Sequence, residues 1–238
     1  MPDPSAAENS KEKNTPHYHG HRDRLRGKFL DNGAEALADY ELVELLLFSA
    51  IPRRDVKPLA KKLLETFGGI SGVLNASHAE LGKIGGLSEK TIIMLKTVQA
   101  LQHRAAKQDI MQKPILNSWN RLMEYCQLTM AHEQKEHFRI LFLNKKNELI
   151  ADEIQQSGTV DHTPAYPREI MKRALELGAT ALILVHNHPS GDHTPSEDDV
   201  DMTYAIKAAG EPFNIIIHDH IIVSKNGTSS FKTLGLLV

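Results

Sequence analysis

Apolar residues in the first half of the chain recur at the three- and four-residue spacing that is typical of helices. The clearest cases are residues 40–48 and the longer run that follows Ser88. Signals for helix ends separate these runs; for example, Ser77 and Glu80 have the spacing of a capping box. Residues 17–108 are therefore predicted to form a small all-helical domain.

The pattern changes in the second half, where short apolar runs alternate with helical ones. Residues 181–185 are all apolar, which is typical of a central strand covered on both faces. Other strands are predicted over 137–143, from the following turn to residue 154, and over 213–218 and 221–224, with helices at 118–130, 167–178 and 196–209. Residues 115–238 are therefore predicted to form an α/β domain.

Composition narrows the functional classes only slightly. The chain has 238 residues, of which 41% are hydrophobic, and its net charge of -2 creates no global attraction to nucleic acid. Cys126 is the only cysteine, which excludes an internal disulfide and fits a cytoplasmic location. No apolar run approaches the roughly 20 residues of a membrane helix, so no membrane association is expected. Residues 1–16 are polar and are predicted to be a disordered tail, and the first 20 residues lack the apolar core of a secretory signal.

The segment over residues 185–199 holds the candidate chemistry. His186 and His188 leave the end of a predicted strand two residues apart, so their side chains lie on one face. Prolines and a glycine then force a turning loop, and Asp199 lies in the first turn of the next predicted helix. Two imidazoles and one carboxylate suit Zn²⁺ and leave a fourth position for water. The spacing therefore predicts a catalytic zinc site that activates water for hydrolysis.

Other interpretations of the same histidines and acids stay open at this point. Ser196 would lie beside the metal at a helix N-terminus, where it could stabilise an oxyanion. Ser196 and Asp199 also have the spacing of a helix cap, which needs no metal. His218 and His220 are a second same-face pair, but no third ligand is evident near them, and we interpret them as structural, with a place in the lining of the cleft as the alternative.

These residues resemble the JAMM motif of the MPN/JAB metalloprotease superfamily, which reads His-x-His-Pro, six residues, Ser, two residues, Asp. The fuller string over residues 186–199 is similar to the RadC family within that superfamily. Further segments resemble other blocks of that family, so that the resemblance covers nearly the whole chain beyond the tail: 22–30, 40–54, 158–160, 166–170, 219–223 and 230–231. The resemblance implies an MPN/JAB-like mixed-sheet domain and zinc metallopeptidase or isopeptidase activity on an unidentified peptide or isopeptide substrate.

The resemblance also implies a glutamate general base, upstream of the histidines and near the start of the first strand. Glu136 matches that position, and Glu133 is the alternative. Glu136 would accept the proton from water and deliver it to the leaving amine, while Ser196 steadies the oxyanion. A metal-bearing scaffold without turnover is a further alternative, because metal sites persist in inactive relatives.

The segment over residues 84–88, between two predicted helices, resembles a helix-hairpin-helix. Such hairpins bind a DNA phosphate through backbone N–H groups without reading sequence. Ser88 stands where the usual hairpin has its second glycine. The hairpin predicts an alternative function, a DNA-associated repair or recombination accessory protein, although a helical bundle used only for packing explains it equally well. The residues predicted to contact nucleic acid are Lys83, Gly85, Gly86 and Lys90.

Overall fold

The computed structural model describes residues 18–111, 114–157 and 166–237. The predicted tail at 1–16 and the sequence block at 158–160 lie outside the described residues. The chain divides into two compact units, Met1–Lys96 and Thr97–Val238. Among the described residues, no helix combines the length and apolar character that a membrane span requires.

The first unit is built from helices, as the sequence predicts. They are α1 (Tyr18–Asn32), α2 (Asp39–Ala50), α3 (Lys57–Phe67), α4 (Ile70–Asn75), α5 (His78–Gly82) and the first part of α6 (Glu89–Met111). The capping box at Ser77 and Glu80 is confirmed, because the Ser77 hydroxyl accepts from the Glu80 amide and the Glu80 carboxylate accepts from the Ser77 amide. Ser88 similarly accepts from the amide of Thr91 in the first turn of α6.

Within its described residues, the second unit contains a five-stranded mixed sheet with helices. Its strands are β1 (His137–Leu143), β2 (Leu149–Ser157), β3 (Ala181–Asn187), β4 (Ile216–Ser224) and β5 (Gly227–Ser230), in the order β2-β1-β3-β4-β5. Only the central pair β3–β4 is parallel, and the other neighbours are antiparallel. The helices are the rest of α6, α7 (Trp119–Met130), α8 (Pro167–Leu177) and α9 (Glu197–Gly210). The predicted α/β fold class, with helices preceding a mixed sheet, is confirmed.

Strand β3 lies at the centre of this sheet and is covered on both faces. Leu182 and Leu184 belong to a core shared with α8 and α9, whereas Ile183 and Val185 belong to a core shared with α7. All four side chains are fully buried, which stabilises the fold by roughly 1.5–3 kcal/mol for each. The all-apolar run therefore fixes the strand whose end holds the candidate ligands.

The predicted division of the last strands is wrong. Instead of strands over 213–218 and 221–224, one strand runs from Ile216 to Ser224, and Glu211–Phe213 forms a short 3-10 helix. The strand continues through the polar residue Asp219 because its buried carboxylate accepts hydrogen bonds from the Ser230 hydroxyl and the Lys232 amide. Strand β5, a four-residue polar strand, was not predicted.

Candidate metal centre

Three candidate ligands converge where β3 ends and α9 begins. His186 is the penultimate residue of β3, His188 follows the strand, and Asp199 is the third residue of α9. One ligand atom from each side chain lies within 4.8 Å of the others. Within the described parts of the chain, no other group of three His, Cys, Asp or Glu side chains meets this geometry.

The Asp199 carboxylate lies between the two imidazoles. Its Oδ1 is 2.8 Å from His186 Nδ1, and its Oδ2 is 3.4 Å from His188 Nε2. His188 Nδ1 is 2.8 Å from the carbonyl oxygen of Asp192, which fixes the ring with Nε2 on the Asp199 side. In a metal-binding histidine, the ring nitrogen that does not bind the metal commonly makes a hydrogen bond of this kind, which orients the ring.

The ionised carboxylate of Asp199 is the group in this cluster that favours a cation. Burial alone raises the pKa of Asp199, but hydrogen bonds from His186 and His188 hold its pKa well below the ordinary value. The hydrogen bond with Asp199 raises the pKa of His188, although burial opposes the effect. The carboxylate therefore stays ionised, and a metal ion that binds here would displace protons from imidazole.

One buried nitrogen in the cluster lacks a hydrogen-bond partner. His186 Nε2 is buried and unpaired among the described residues, and it lies 3.8 Å from Glu136 Oε2. A buried polar atom that makes no hydrogen bond costs free energy, so the site suits a bound ligand. Two imidazoles and an ionised carboxylate fit Zn²⁺ in number and in chemistry.

Glu136 lies beside the candidate ligands because of the antiparallel register between β1 and β3. Phe138 pairs with His186, so the segment that precedes β1 lies next to the end of β3. Glu133 instead lies 3.6 Å from His137, and its side chain is half exposed. Of the two candidate bases, the structure brings Glu136 to the histidines.

Ser196 caps helix α9 and contacts Asp199. Its hydroxyl donates to Asp199 Oδ2 at 2.7 Å, and its oxygen accepts from the Asp199 amide at 3.1 Å. The Ser196 amide also donates to Asp199 Oδ2 at 2.8 Å, which completes a capping box. Ser196 therefore orients the third ligand, and the oxyanion role predicted for it would require its hydroxyl to turn away from Asp199.

The loop between the histidines and α9 is hydrogen-bonded to residues at and just after the end of β4. The His188 amide donates to the Val223 carbonyl at 2.8 Å, and the Gly191 carbonyl accepts from the side chains of Ser224 and Asn226, each at 2.9 Å. Gly191 has a φ of 93°, a conformation that side chains disfavour. These contacts hold His188 in place relative to the sheet.

The second histidine pair does not form a site. A register shift in the β3–β4 ladder at His218 breaks the alternation that the sequence suggests for His218 and His220. His218 Nε2 is 2.6 Å from Asn147 Oδ1, and His220 Nδ1 is 2.6 Å from the Thr203 hydroxyl, which donates to the Asp199 carbonyl. Complete burial lowers the pKa of His220 to about 3, so that its ring is neutral. His220 and Thr203 support α9 beneath the candidate centre; the sequence indicated His220 only as one of a histidine pair, and no sequence signal identified Thr203.

A cysteine nucleophile is not part of this centre. Cys126 is fully buried in α7, and burial raises the pKa of its thiol to about 12. The thiol is therefore protonated at neutral pH and unreactive.

The hairpin residues of the first unit lie at the surface. Lys83, Gly85, Gly86 and Lys90 are all exposed, and Gly86 has a φ of 100°. The Arg54 guanidinium donates to the Gly86 carbonyl at 2.6 Å. Residues 50–54 and 86–88 line a shallow groove beside the N-terminus of α6.

Two protein-family models match the chain. A model described as RadC-like JAB domain matches residues 116–236, just over half of the chain. A model described as UPF0758 N-terminal matches residues 19–93. The first match includes Glu136, Ser196 and the three candidate ligands, and the second includes the exposed hairpin.

Proposed function

The chain belongs to the RadC family, and on that premise we propose that it is a zinc-dependent hydrolase that cleaves peptide or isopeptide bonds. The main support is the position of Glu136, whose carboxylate lies 3.8 Å from the unpaired nitrogen of His186. An acid at this position suits proton transfer during hydrolysis.

The proposed reaction divides the roles among five side chains. His186, His188 and Asp199 would hold the zinc ion, which would lower the pKa of a coordinated water toward about 7 and polarise a carbonyl. Glu136 accepts a proton at its carboxylate and delivers it to the leaving amine. Ser196 orients Asp199 and, when its hydroxyl turns, can donate to the developing oxyanion.

This proposal is tested on the full-length protein with and without metal. Zinc content is measured by elemental mass spectrometry, and zinc-loaded and chelator-treated samples are incubated with a library of peptide and isopeptide substrates. We expect cleavage by the zinc-loaded sample alone. If about one zinc ion is bound per chain and no amide is cleaved, while a known JAMM peptidase is active in the same assay, the chain is a metal-bearing scaffold.

A second function is proposed for the first unit, namely binding to DNA as a repair or recombination accessory protein. The supporting observation is the exposed hairpin between α5 and α6, with Lys83 and Lys90 on either side of it. Free backbone N–H groups at a helix N-terminus, together with nearby cations, can bind a phosphate. Arg53 is also exposed along the adjacent groove, which adds to the positive charge.

Replacing Lys83 and Lys90 together by alanine is expected to weaken DNA binding. Because two phosphate contacts are removed, the slope of log affinity against log salt concentration should decrease by about 2. Fluorescence anisotropy with a labelled duplex and a labelled single strand measures both quantities. Lys61→Ala/Lys62→Ala, which removes the same charge from α3, is the matched control. Equal affinity and slope in the two double variants would exclude the hairpin as a DNA contact.

A further inference from the structure

We infer that Asn187 positions Glu136, because its side-chain amide binds the main chain on both sides of that glutamate. The inference rests on the proposed function, since Glu136 matters for catalysis only if it is the base. Asn187 lies between the two candidate ligands, at the end of β3, and is only 1% exposed. It occupies the variable position between the two histidines of the JAMM motif, within the string that resembles the RadC family, and the sequence assigned it no role.

The contacts of Asn187 bracket a single residue. Its Oδ1 accepts from the backbone amide of His137 at 2.8 Å, and its Nδ2 donates to the backbone carbonyl of Lys135 at 3.0 Å. The residue between those two backbone groups is Glu136. In an extended chain, the backbone carbonyl and the backbone N–H that flank one residue face the same side. The side-chain amide of Asn187 therefore binds both of them, as a peptide group of a neighbouring strand would.

The two hydrogen bonds of Asn187, to the His137 amide and the Lys135 carbonyl, are called the clamp below. They lie where the backbone ladder between β1 and β3 ends. The last backbone pair between β1 and β3 at this end is Phe138 with His186. On the β2 side His137 still pairs with Ser157, but on the β3 side no backbone pair follows, so the chain is held less firmly there. A buried amide is also stable only when both of its hydrogen-bonding ends are used, and Asn187 uses both on this segment. The stretch over residues 186–188 therefore supplies two ligands and, between them, the side chain that holds the base.

Asn187 is a positioning residue, because neither of its contacts is with a ligand side chain or the Glu136 carboxylate. Its removal should leave zinc binding intact while Glu136 moves relative to His186. An error of about 1 Å in the position of a catalytic group lowers a rate by roughly a hundredfold. The predicted effect is therefore on kcat, with KM and zinc content unchanged.

The test compares two substitutions that remove different parts of the clamp. Asn187→Leu has a similar size and loses both hydrogen bonds. Asn187→Asp keeps the acceptor for His137 but places an oxygen opposite the Lys135 carbonyl. We expect kcat to fall about 10- to 100-fold in both variants, because Asn187→Leu loses both hydrogen bonds and Asn187→Asp replaces one of them by repulsion between two oxygens. The His137 amide should exchange with solvent about tenfold faster in Asn187→Leu, measured by hydrogen exchange with single-residue resolution.

Asn144→Leu is the matched control. Asn144 also binds main chain through its amide, at the other end of β1, where its Oδ1 accepts from the amides of Lys146 and Glu148. This control should expose those two amides and leave the exchange of His137, the zinc content and kcat as in the parent. It separates a general loosening of β1 from the loss of the clamp on Glu136.

The outcomes distinguish this inference from the proposed function. A protected His137 amide in folded Asn187→Leu, or an unchanged kcat in that variant when Glu136→Gln is inactive, overturns the role of Asn187. If the parent hydrolyses no amide, the proposed function fails, and hydrogen exchange still decides whether Asn187 holds the segment. If Asn187→Leu does not fold, Asn187→Asp gives the same two measurements.

Discussion

Replacing both His186 and His188 by alanine is expected to remove zinc binding and all hydrolytic activity. The parent should hold about one zinc ion per chain, because the two imidazoles and Asp199 supply the three protein ligands of an open zinc site. The variant retains only a carboxylate, which already accepts two hydrogen bonds from Ser196. A single carboxylate in that setting binds zinc weakly. Elemental mass spectrometry after dialysis measures the loss directly.

His218→Ala is the control for that result. His218 is a partly buried histidine in the same sheet, and its ring contacts Asn147 instead of the candidate ligands. The control should keep its zinc, and circular dichroism should show that each variant is folded. Zinc retained at the parent level by folded His186→Ala/His188→Ala would exclude this site and remove the basis of the proposed hydrolysis.

Replacing Glu136 by glutamine is expected to lower kcat by about 10²- to 10⁴-fold, the usual contribution of a general acid–base group. Glutamine has nearly the same shape but cannot accept a proton. The substitution therefore removes proton transfer by this side chain and preserves its packing. KM and zinc content should stay close to the parent values, because Glu136 is not one of the three ligands. Steady-state kinetics on a substrate from the amide library, together with metal analysis, measures all three quantities.

Glu133→Gln provides the comparison for Glu136. Glu133 lies three residues upstream, carries the same charge and contacts His137 from an exposed position. We expect its kcat to remain within about twofold of the parent, as is usual for exposed residues outside a site. If Glu133→Gln were inactive and Glu136→Gln active, the base would be Glu133. If both retained full activity, the reaction would not depend on either acid.

The sequence predicted those parts of the fold that depend on local signals. The apolar run over 181–185 indicated the central strand, and the Ser77 and Glu80 pair indicated a helix start, because burial and capping leave short-range patterns. The end of the sheet was predicted wrongly. Asp219 looks like a turn residue in isolation, and only its distant partners Ser230 and Lys232 allow it to lie within a strand.

The candidate site was predictable only where its residues are close in sequence. Spacing alone placed His186, His188 and Asp199 together, since a strand, a short loop and a helix start define their relative positions. Glu136 required the resemblance to a family, because its proximity to His186 depends on the register between β1 and β3. No pattern indicated a role for Asn187, whose partners are backbone atoms about fifty residues upstream.

The antiparallel pairing of β1 and β3 also bears on when the centre can become active during folding. The segments that provide Glu136 and His186 are separated by β2 and α8, and they meet only when the two strands have paired. Contacts between such distant segments form late, because a long loop must first be closed. A nascent or misfolded chain would therefore have no complete candidate centre. The proposed hydrolysis would begin only after the sheet has formed.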